Sequence, residues 1–203
     1  QDMAFIRNSI IPGLLMAASY NEKRQEKGFK LFEIGAIHNQ SKKSATGSKE
    51  KFHLGLLWYG EPPSHWRNYE DRDIYRCKGE IVQLLESVGL SNISYKVGTE
   101  KGFETSLKIY SGKTQIGKFG IPDSKVLKQY DLKIKPMVCD LSLQNLRELW
   151  QNRKMAYKPP TAFPSMSRDI ALQVSRDLPA EDLLKTIQKE GGYTLKNISL
   201  FDV

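Results

Sequence analysis

The C-terminal segment, residues 163–203, places the tightest constraint on the fold. Apolar residues alternate with polar or small ones over Arg168–Val174 and over Leu195–Val203, which predicts two strands. Between them, a proline followed by two carboxylates at 178–182 predicts a helix start, and Gly191-Gly192 predicts its end. The second strand is predicted to bury Ile198, Leu200 and Phe201. Because a βαβ unit is half of a small α/β sandwich and leaves an open sheet edge, we expect the chain to belong to a longer protein.

The preceding residues predict an antiparallel sheet with flanking helices. An amphipathic helix is predicted over Ser9–Glu26, with Ser9 as its cap. Strands Phe29–His38 and Phe52–Gly60, joined by a polar loop, predict a hairpin. Further helices are predicted at Asp73–Val88 and Leu143–Gln151, and further strands at Ile93–Val97, Thr105–Tyr110, Gln115–Ile121 and Met137–Leu143.

A proline cluster marks the predicted domain boundary. Pro159, Pro160 and Pro164 lie close together, which is typical of a linker. We therefore divide the chain into a domain at 1–156 and a second at 157–203. An antiparallel sheet with flanking helices, followed by half of an α/β sandwich, gives α+β as the predicted fold class.

The charge is unevenly distributed along the chain. The formal net charge is +8, yet residues 157–203 carry six basic and six acidic residues. The excess lies in residues 1–156, with 25 basic against 17 acidic. This pattern fits an ordinary lysine-rich surface, and it equally fits attraction to a polyanion such as RNA.

Several classes of protein are disfavoured. Cys77 and Cys139 stand far apart, which suits a reducing cytoplasm better than a disulfide framework. The three histidines share no metal-ligand spacing, so no metal site is predicted. We see no secretory signal, and no apolar run long enough to span a membrane. Phosphate-binding glycine loops, GxSxG elbows and HExxH helices are also missing from the sequence. Near Arg67 lie three aromatic residues, Tyr59, Trp66 and Tyr69. They could stack on a base, although a position at a core edge or in a subunit contact is favoured.

A series of motifs then runs through the chain: Arg7-Asn-Ser-Ile-Ile-Pro-Gly-Leu-Leu, Phe32-Glu-Ile-Gly, Lys78-Gly79, Phe163-Pro, Arg168-Asp-Ile-Ala-Leu and Leu200-Phe-Asp-Val. In order and spacing it resembles the β subunit of bacterial phenylalanyl-tRNA synthetase. The resemblance implies a class II synthetase-like core over 1–156 and the first half of a ferredoxin-fold anticodon-binding domain over 157–203. It also implies partnership with the α subunit in an α2β2 heterotetramer, binding of tRNA(Phe), and use of ATP and Mg²⁺ by the whole enzyme.

The same resemblance predicts that this chain carries no catalytic residue and no cofactor of its own. Catalytic relatives place an arginine for the ATP phosphate where this chain has Asn39. Their Gln and Glu on the return strand correspond to positions within Leu56-Leu-Trp-Tyr59. Their last arginine motif has no counterpart around Val138–Arg147. Without charge-assisted contacts to a phosphate, we expect a pseudo-catalytic scaffold.

Binding residues are predicted in both domains. For tRNA we expect Ser167, Arg168 and Lys196 to be contacts, although Arg168 and Asp169 could instead form a strand-end ion pair. For the subunit interface we expect the first helix, with Ile10 and Leu14, together with Trp58 and Trp66, because apolar surface without a partner is unusual in a monomer.

Two other functions remain open from the sequence. A self-standing ATP-dependent ligase would need a phosphate-binding arginine, for which Arg67, Arg72 and Arg76 are candidates. A general RNA-binding module would use the basic first domain and would bind unrelated RNAs with strong salt dependence.

Overall fold

The computed structural model describes residues 6–60, 74–90, 92–151 and 164–201. Trp66, Arg67, Arg72, Pro159, Pro160 and the last two residues of the Phe-Asp-Val motif lie outside these ranges. Contacts divide the chain into two compact units, Gln1–Met155 and Ala156–Val203, which are described separately.

The first unit contains a six-stranded sheet in the order β1-β2-β6-β5-β4-β3, with every neighbouring pair antiparallel. Its strands are β1 (Gly28–Gln40), β2 (Ser48–Gly60), β3 (Ile93–Gly98), β4 (Phe103–Ser111), β5 (Thr114–Pro122) and β6 (Met137–Ser142). Its helices are α1 (Ile11–Glu22), α2 (Ile74–Ser87), α3 (Ser124–Gln129) and α4 (Leu143–Gln151). The α+β class and the antiparallel sheet with flanking helices are confirmed.

Local chemistry explains where several elements begin and end. The N-cap of α1 is Ile10 rather than the predicted Ser9, although Ser9 Oγ accepts the Ile11 backbone N–H at 3.3 Å. The helix ends at Glu22 rather than Glu26. The hairpin is longer than predicted, because Gln40 pairs with Ser48 and the polar residues between them form only a short turn. The sequence reading missed α3, where the Asp123 carboxylate accepts the backbone N–H groups of Lys125 and Val126 at 2.9 Å each.

The sheet has two faces that bury separate cores. On the front face, α1 and α3 pack against the β1–β2–β6 half of the sheet, around Leu57, Tyr59 and Val138. On the back face, α2 and α4 pack around Trp58 and Phe119. Alternation along β2 assigns neighbouring residues to opposite faces, so Leu57 and Trp58 serve different cores. Among the described residues, the front core lies mainly on β1, β2 and β6, whereas the back core extends from β2 to β3.

The second unit differs from the sequence prediction. The helix is confirmed as α5 (Ala180–Gly191), followed by a 3₁₀ turn at Gly192–Thr194. Neither predicted strand forms within residues 164–201. The apolar positions of these segments are largely exposed rather than buried: Ile170 at 68%, Leu172 at 51%, Leu200 at 47% and Phe201 at 63%. Apolar alternation becomes a strand only when backbone N–H and C=O groups pair with a neighbouring strand, and the described residues of this unit supply none.

Candidate functional site

The two N-terminal motifs form a single polar latch on the front face. Arg7 donates from Nε to the Ala36 carbonyl at 2.9 Å and from Nη1 to the Glu33 carboxylate at 2.5 Å. Gly35 makes room for the guanidinium, since a Cβ there would lie 2.0 Å from Arg7 Nη2. Gly13 does the same for the carboxylate, since its Cβ would lie 3.2 Å from Glu33 Oε2. The latch ties the segment before α1 to β1, so these motif residues have a structural role.

The hairpin positions compared with catalytic relatives are an amide and buried core residues. Asn39 lies near the end of β1, opposite Lys49, and is half-buried. Leu57, Trp58 and Tyr59 are 0%, 4% and 1% exposed, so the return strand is used as core. Burial raises the pKa of the Tyr59 hydroxyl, with the Glu22 carboxylate adding to the effect, so this phenol stays neutral. None of these four side chains is a cation.

The segment Val138–Arg147, compared above with the last arginine motif of catalytic relatives, combines buried strand residues with an exposed helix face. On β6, Val138 and Cys139 are fully buried, while Asp140 is 6% exposed and its carboxylate lies 2.5 Å from Nδ1 of His53. Arg147 lies on the exposed side of α4. Among the described residues, no group of three or more His, Cys, Asp or Glu side chains has an arrangement that would hold a metal ion. The buried carboxylate already has a histidine partner.

A row of lysines crosses the uncovered half of the front face. Lys96 on β3 lies opposite Lys108 on β4, which lies opposite Lys118 on β5. Asp140 on β6 lies opposite Lys118, and Gly55 lies opposite Asp140. Since a Cβ on Gly55 would meet the α1 side chain of Leu14 at 2.7 Å, this whole row faces the front. We call Lys96, Lys108 and Lys118 the basic row.

Among the described residues, the front core does not extend over the basic row, in which Lys96 is exposed and Lys108 and Lys118 are half-buried. Lys118 Nζ lies 5.7 Å from the ring centroid of Phe103. Of β3, β4 and β5, only Phe103 joins the described front core. Lys118 lies 3.8 Å from the Glu100 carboxylate, whereas Lys96 and Lys108 form no ion pair with the residues that the structure describes. Lys96 lies 5.0 Å from the ring centroid of Tyr110. Sequence patterns do not reveal the row, because its members stand ten or more residues apart and only the strand register aligns them.

The predicted interface residues lie in the interior. Ile10, Leu14 and Trp58 are 0%, 3% and 4% exposed. Trp58 also donates from Nε1 to the Glu80 carboxylate at 2.9 Å. The interface prediction assumed that these apolar side chains are exposed and need a partner subunit to cover them. Packing within the chain already buries all three. Trp66 lies outside the described residues.

The residues predicted to contact tRNA are exposed in the second unit. Ser167 and Arg168 precede α5 in irregular backbone, and Lys196 follows the 3₁₀ turn. Arg168 makes no ion pair with Asp169 or with any other residue in the described parts of the chain, so the strand-end pair is not formed. The role of these three residues in tRNA binding stays a prediction.

Comparison with solved structures identifies the architecture. Two structures of pyrrolysyl-tRNA synthetase from Desulfitobacterium hafniense align with a TM-score of 0.57 and 16% identity. One alignment covers 74% of this chain and 55% of that synthetase, and the other covers 71% and 49%. The predicted synthetase-like fold is thereby confirmed. No helix among the described residues combines the length and apolarity that crossing a bilayer requires.

Comparison with sequences identifies the relatives. The β subunit of phenylalanine–tRNA ligase from Carboxydothermus hydrogenoformans is 32% identical over 206 residues, covering 100% of this chain and 25% of the relative. The Staphylococcus aureus MSSA476 β subunit is 32% identical over 98% of this chain, and the Latilactobacillus sakei β subunit 31% identical over 100%. The chain therefore spans about a quarter of the length of these relatives.

Family models match both parts of the chain. Residues 161–203 match the ferredoxin-fold anticodon binding domain. Residues 1–143 match the model described as phenylalanyl tRNA synthetase beta chain CLM domain. The chain belongs to the phenylalanyl tRNA synthetase beta chain family, as the motifs around Arg7 and Glu33 predicted.

Proposed function

We propose that this chain is a non-catalytic part of phenylalanine–tRNA ligase, which supports the α subunit and tRNA binding during aminoacylation of tRNA(Phe). The observation that carries this proposal is the match to β subunits along 98–100% of the chain. The match to an anticodon-binding domain over 161–203 supports a contact with tRNA. The proposed setting is the cytoplasm, in an α2β2 heterotetramer.

The assignment as non-catalytic relies on the chemistry of the sheet. Adenylate formation needs cationic groups that neutralise charge on the reacting phosphate. Here Asn39 offers an amide in place of a cation, and Leu57 and Trp58 are buried in opposite cores. We assign ATP and Mg²⁺ to the α subunit, and this chain to the fold that holds the complex together. Nothing in the comparisons favours a self-standing ligase or a general RNA-binding module.

The test of this division of labour is phenylalanine-dependent exchange between ATP and pyrophosphate. It is measured with the chain alone, with purified α subunit alone, and with α subunit plus the β subunit that contains this chain. We expect exchange only when both subunits are present. Exchange by the chain alone would refute the non-catalytic assignment and redirect attention to Arg67, Arg72 and Arg76.

The contact with tRNA has a separate test in the same complex. Replacing Arg168 with alanine removes an exposed cation that has no ion-pair partner among the described residues. Arg176→Ala, an exposed arginine in a turn of the same unit, is the matched control of equal charge change. We expect Arg168→Ala to weaken tRNA(Phe) binding about five- to eightfold at roughly 0.1 M salt, as for one phosphate contact. Equal affinities for the two variants would refute the assignment of Arg168.

A further inference from the structure

We propose that the basic row, Lys96, Lys108 and Lys118, binds the phosphate backbone of RNA, which makes the front face of the synthetase-like sheet a second RNA contact outside the anticodon-binding unit. This inference relies on the proposed function, since it takes the bound RNA to be tRNA. It starts from the strand register, which aligns the three lysines on neighbouring strands of one face.

The arrangement is unfavourable without an anion. Like charges directly opposite each other on neighbouring strands destabilise a sheet. Within the described residues, only Lys118 has a carboxylate nearby, Glu100 at 3.8 Å. The remaining acidic group in line with the row, Asp140, is buried against His53 and directed to that partner. Lys96 and Lys108 therefore retain their charge for an external anion.

The dimensions favour a polymeric phosphate over a single one. Neighbouring strands lie roughly 4.8 Å apart, so a row across three strands extends about 10 Å. A nucleic-acid strand carries one phosphate per about 3.4 Å of helix axis, so this length corresponds to about three phosphates. A single phosphate would engage only part of the row.

The surroundings also suit a nucleic acid. Lys96 Nζ lies over the Tyr110 ring, 5.0 Å from its centroid, so an aromatic ring accompanies this cation, a combination that sites for single-stranded nucleic acid use. Of the three strands, only Phe103 contributes to the described front core, so the row lies on the part of the face that the core leaves open. The row also lies on strands away from the β1–β2 hairpin, where catalytic relatives hold ATP. A nucleotide-binding role would need a different part of the sheet.

The test uses the complex of α subunit and the β subunit that contains this chain. The variant combines Lys96→Gln, Lys108→Gln and Lys118→Gln. The matched control combines Lys42→Gln, Lys43→Gln and Lys125→Gln, which removes three exposed charges from turns and the outer side of α3. Binding of tRNA(Phe) is measured between about 50 and 200 mM salt. We expect the basic-row variant to lower the slope of log K against log salt by about two to three, and the control by much less.

Thermal unfolding tests whether the basic-row variant is still folded. Removing adjacent like charges should leave the melting temperature of the basic-row variant unchanged or raised. If the triple variant unfolds, Lys108→Gln alone, at the centre of the row, should still lower the slope by about 0.7–0.9. The proposal would be overturned if the salt slope of the triple variant equalled that of the Lys42, Lys43 and Lys125 control, or if the salt slope of Lys108→Gln equalled that of the wild type.

Two further measurements separate the possible outcomes. The rate of ATP–pyrophosphate exchange without tRNA should be equal in the basic-row variant and the wild type. Loss of exchange in the variant would mean that the row serves catalysis or assembly, and would overturn the RNA assignment. Calorimetry with inorganic phosphate and with ATP should show no binding that depends on the row. Row-dependent binding of either with an unchanged tRNA slope would identify a small-anion site instead. If wild-type exchange never depends on the β subunit, the proposed function fails independently of the row.

Discussion

Replacing Leu14 with alanine tests whether α1 belongs to the core of this chain or to a subunit interface. Leu14 is 3% exposed, and its Cδ1 lies 2.7 Å from where a side chain on Gly55 would begin. The substitution leaves a cavity opposite a residue that has no side chain to fill it. Buried leucine-to-alanine changes cost about 2–5 kcal/mol, depending on how far the site collapses, so we expect the upper half of that range, about 3–5 kcal/mol. With an m-value of about 2 kcal/mol per molar urea, the unfolding midpoint falls by roughly 2 M.

The assay is urea unfolding of the isolated chain, followed by tryptophan fluorescence, in which Trp58 reports the first unit from a site 4% exposed. Met16→Ala is the matched control on the same helix, because Met16 is 49% exposed and should cost no more than about 0.5 kcal/mol. Equal midpoints for the two variants would refute the core assignment. If Leu14→Ala instead weakened binding of the α subunit without destabilising the isolated chain, the original interface prediction would be restored.

Three further predictions concern the sheet and its neighbouring helix. Gly117→Ala should lower the unfolding free energy by several kcal/mol in the same urea assay. The added Cβ would lie 2.3 Å from the Asp140 carbonyl oxygen and would force β5 away from β6. An unchanged urea midpoint would contradict the β5–β6 register. Gly79→Ala in α2 should raise the unfolding free energy by about 0.5–1 kcal/mol, since a Cβ there meets nothing within 4 Å and alanine favours the helix. A lower urea midpoint would contradict this prediction and indicate a steric contact at position 79. Burial, followed by the charge of Asp140, raises the pKa of the Cys139 thiol, so a thiol reagent at pH 8 should label Cys139 only after unfolding. The unfolding free energy should fall as pH rises above about 8.5, because only the unfolded thiol loses its proton there. Rapid labelling of Cys139 in the native chain would contradict this burial.

The first unit was largely predictable because its sequence patterns are satisfied by neighbours within the chain. The continuous apolar centre of Phe52–Gly60 predicted a buried strand, and β2 is flanked by β1 and β6 with a helix-covered core on each face. The predicted strand at Arg168–Val174 carries a similar alternation, yet Ile170 is 68% exposed in irregular backbone. Alternation reports which side chains would face a core, but the strand itself depends on hydrogen bonds to a second segment.

The site was less predictable than the fold for a related reason. Apolar character made Ile10, Leu14 and Trp58 look like an interface, because sequence alone gives hydrophobicity without the neighbour that buries it. The latch was visible only as two motifs, and the structure supplies the contact between Arg7 and Glu33 that links them. The basic row depends on register, and a shift of one residue in β4 would turn Lys108 to the opposite face.

The register also bears on the proposed non-catalytic role of this sheet. A catalytic sheet face must leave polar groups exposed toward a ligand, at the expense of packing. On the β1–β2–β6 half of this face, α1 packs over Gly55, which has no side chain to hold it away, and the nearby charges are already engaged, Arg7 with Glu33 and Asp140 with His53. On β3 and β4, Lys96 and Lys108 of the basic row have no ion-pair partner among the described residues. A phosphate contact is consequently expected at Lys96 and Lys108 rather than at Asn39, so a variant that restores arginine at position 39 should not by itself restore ATP binding.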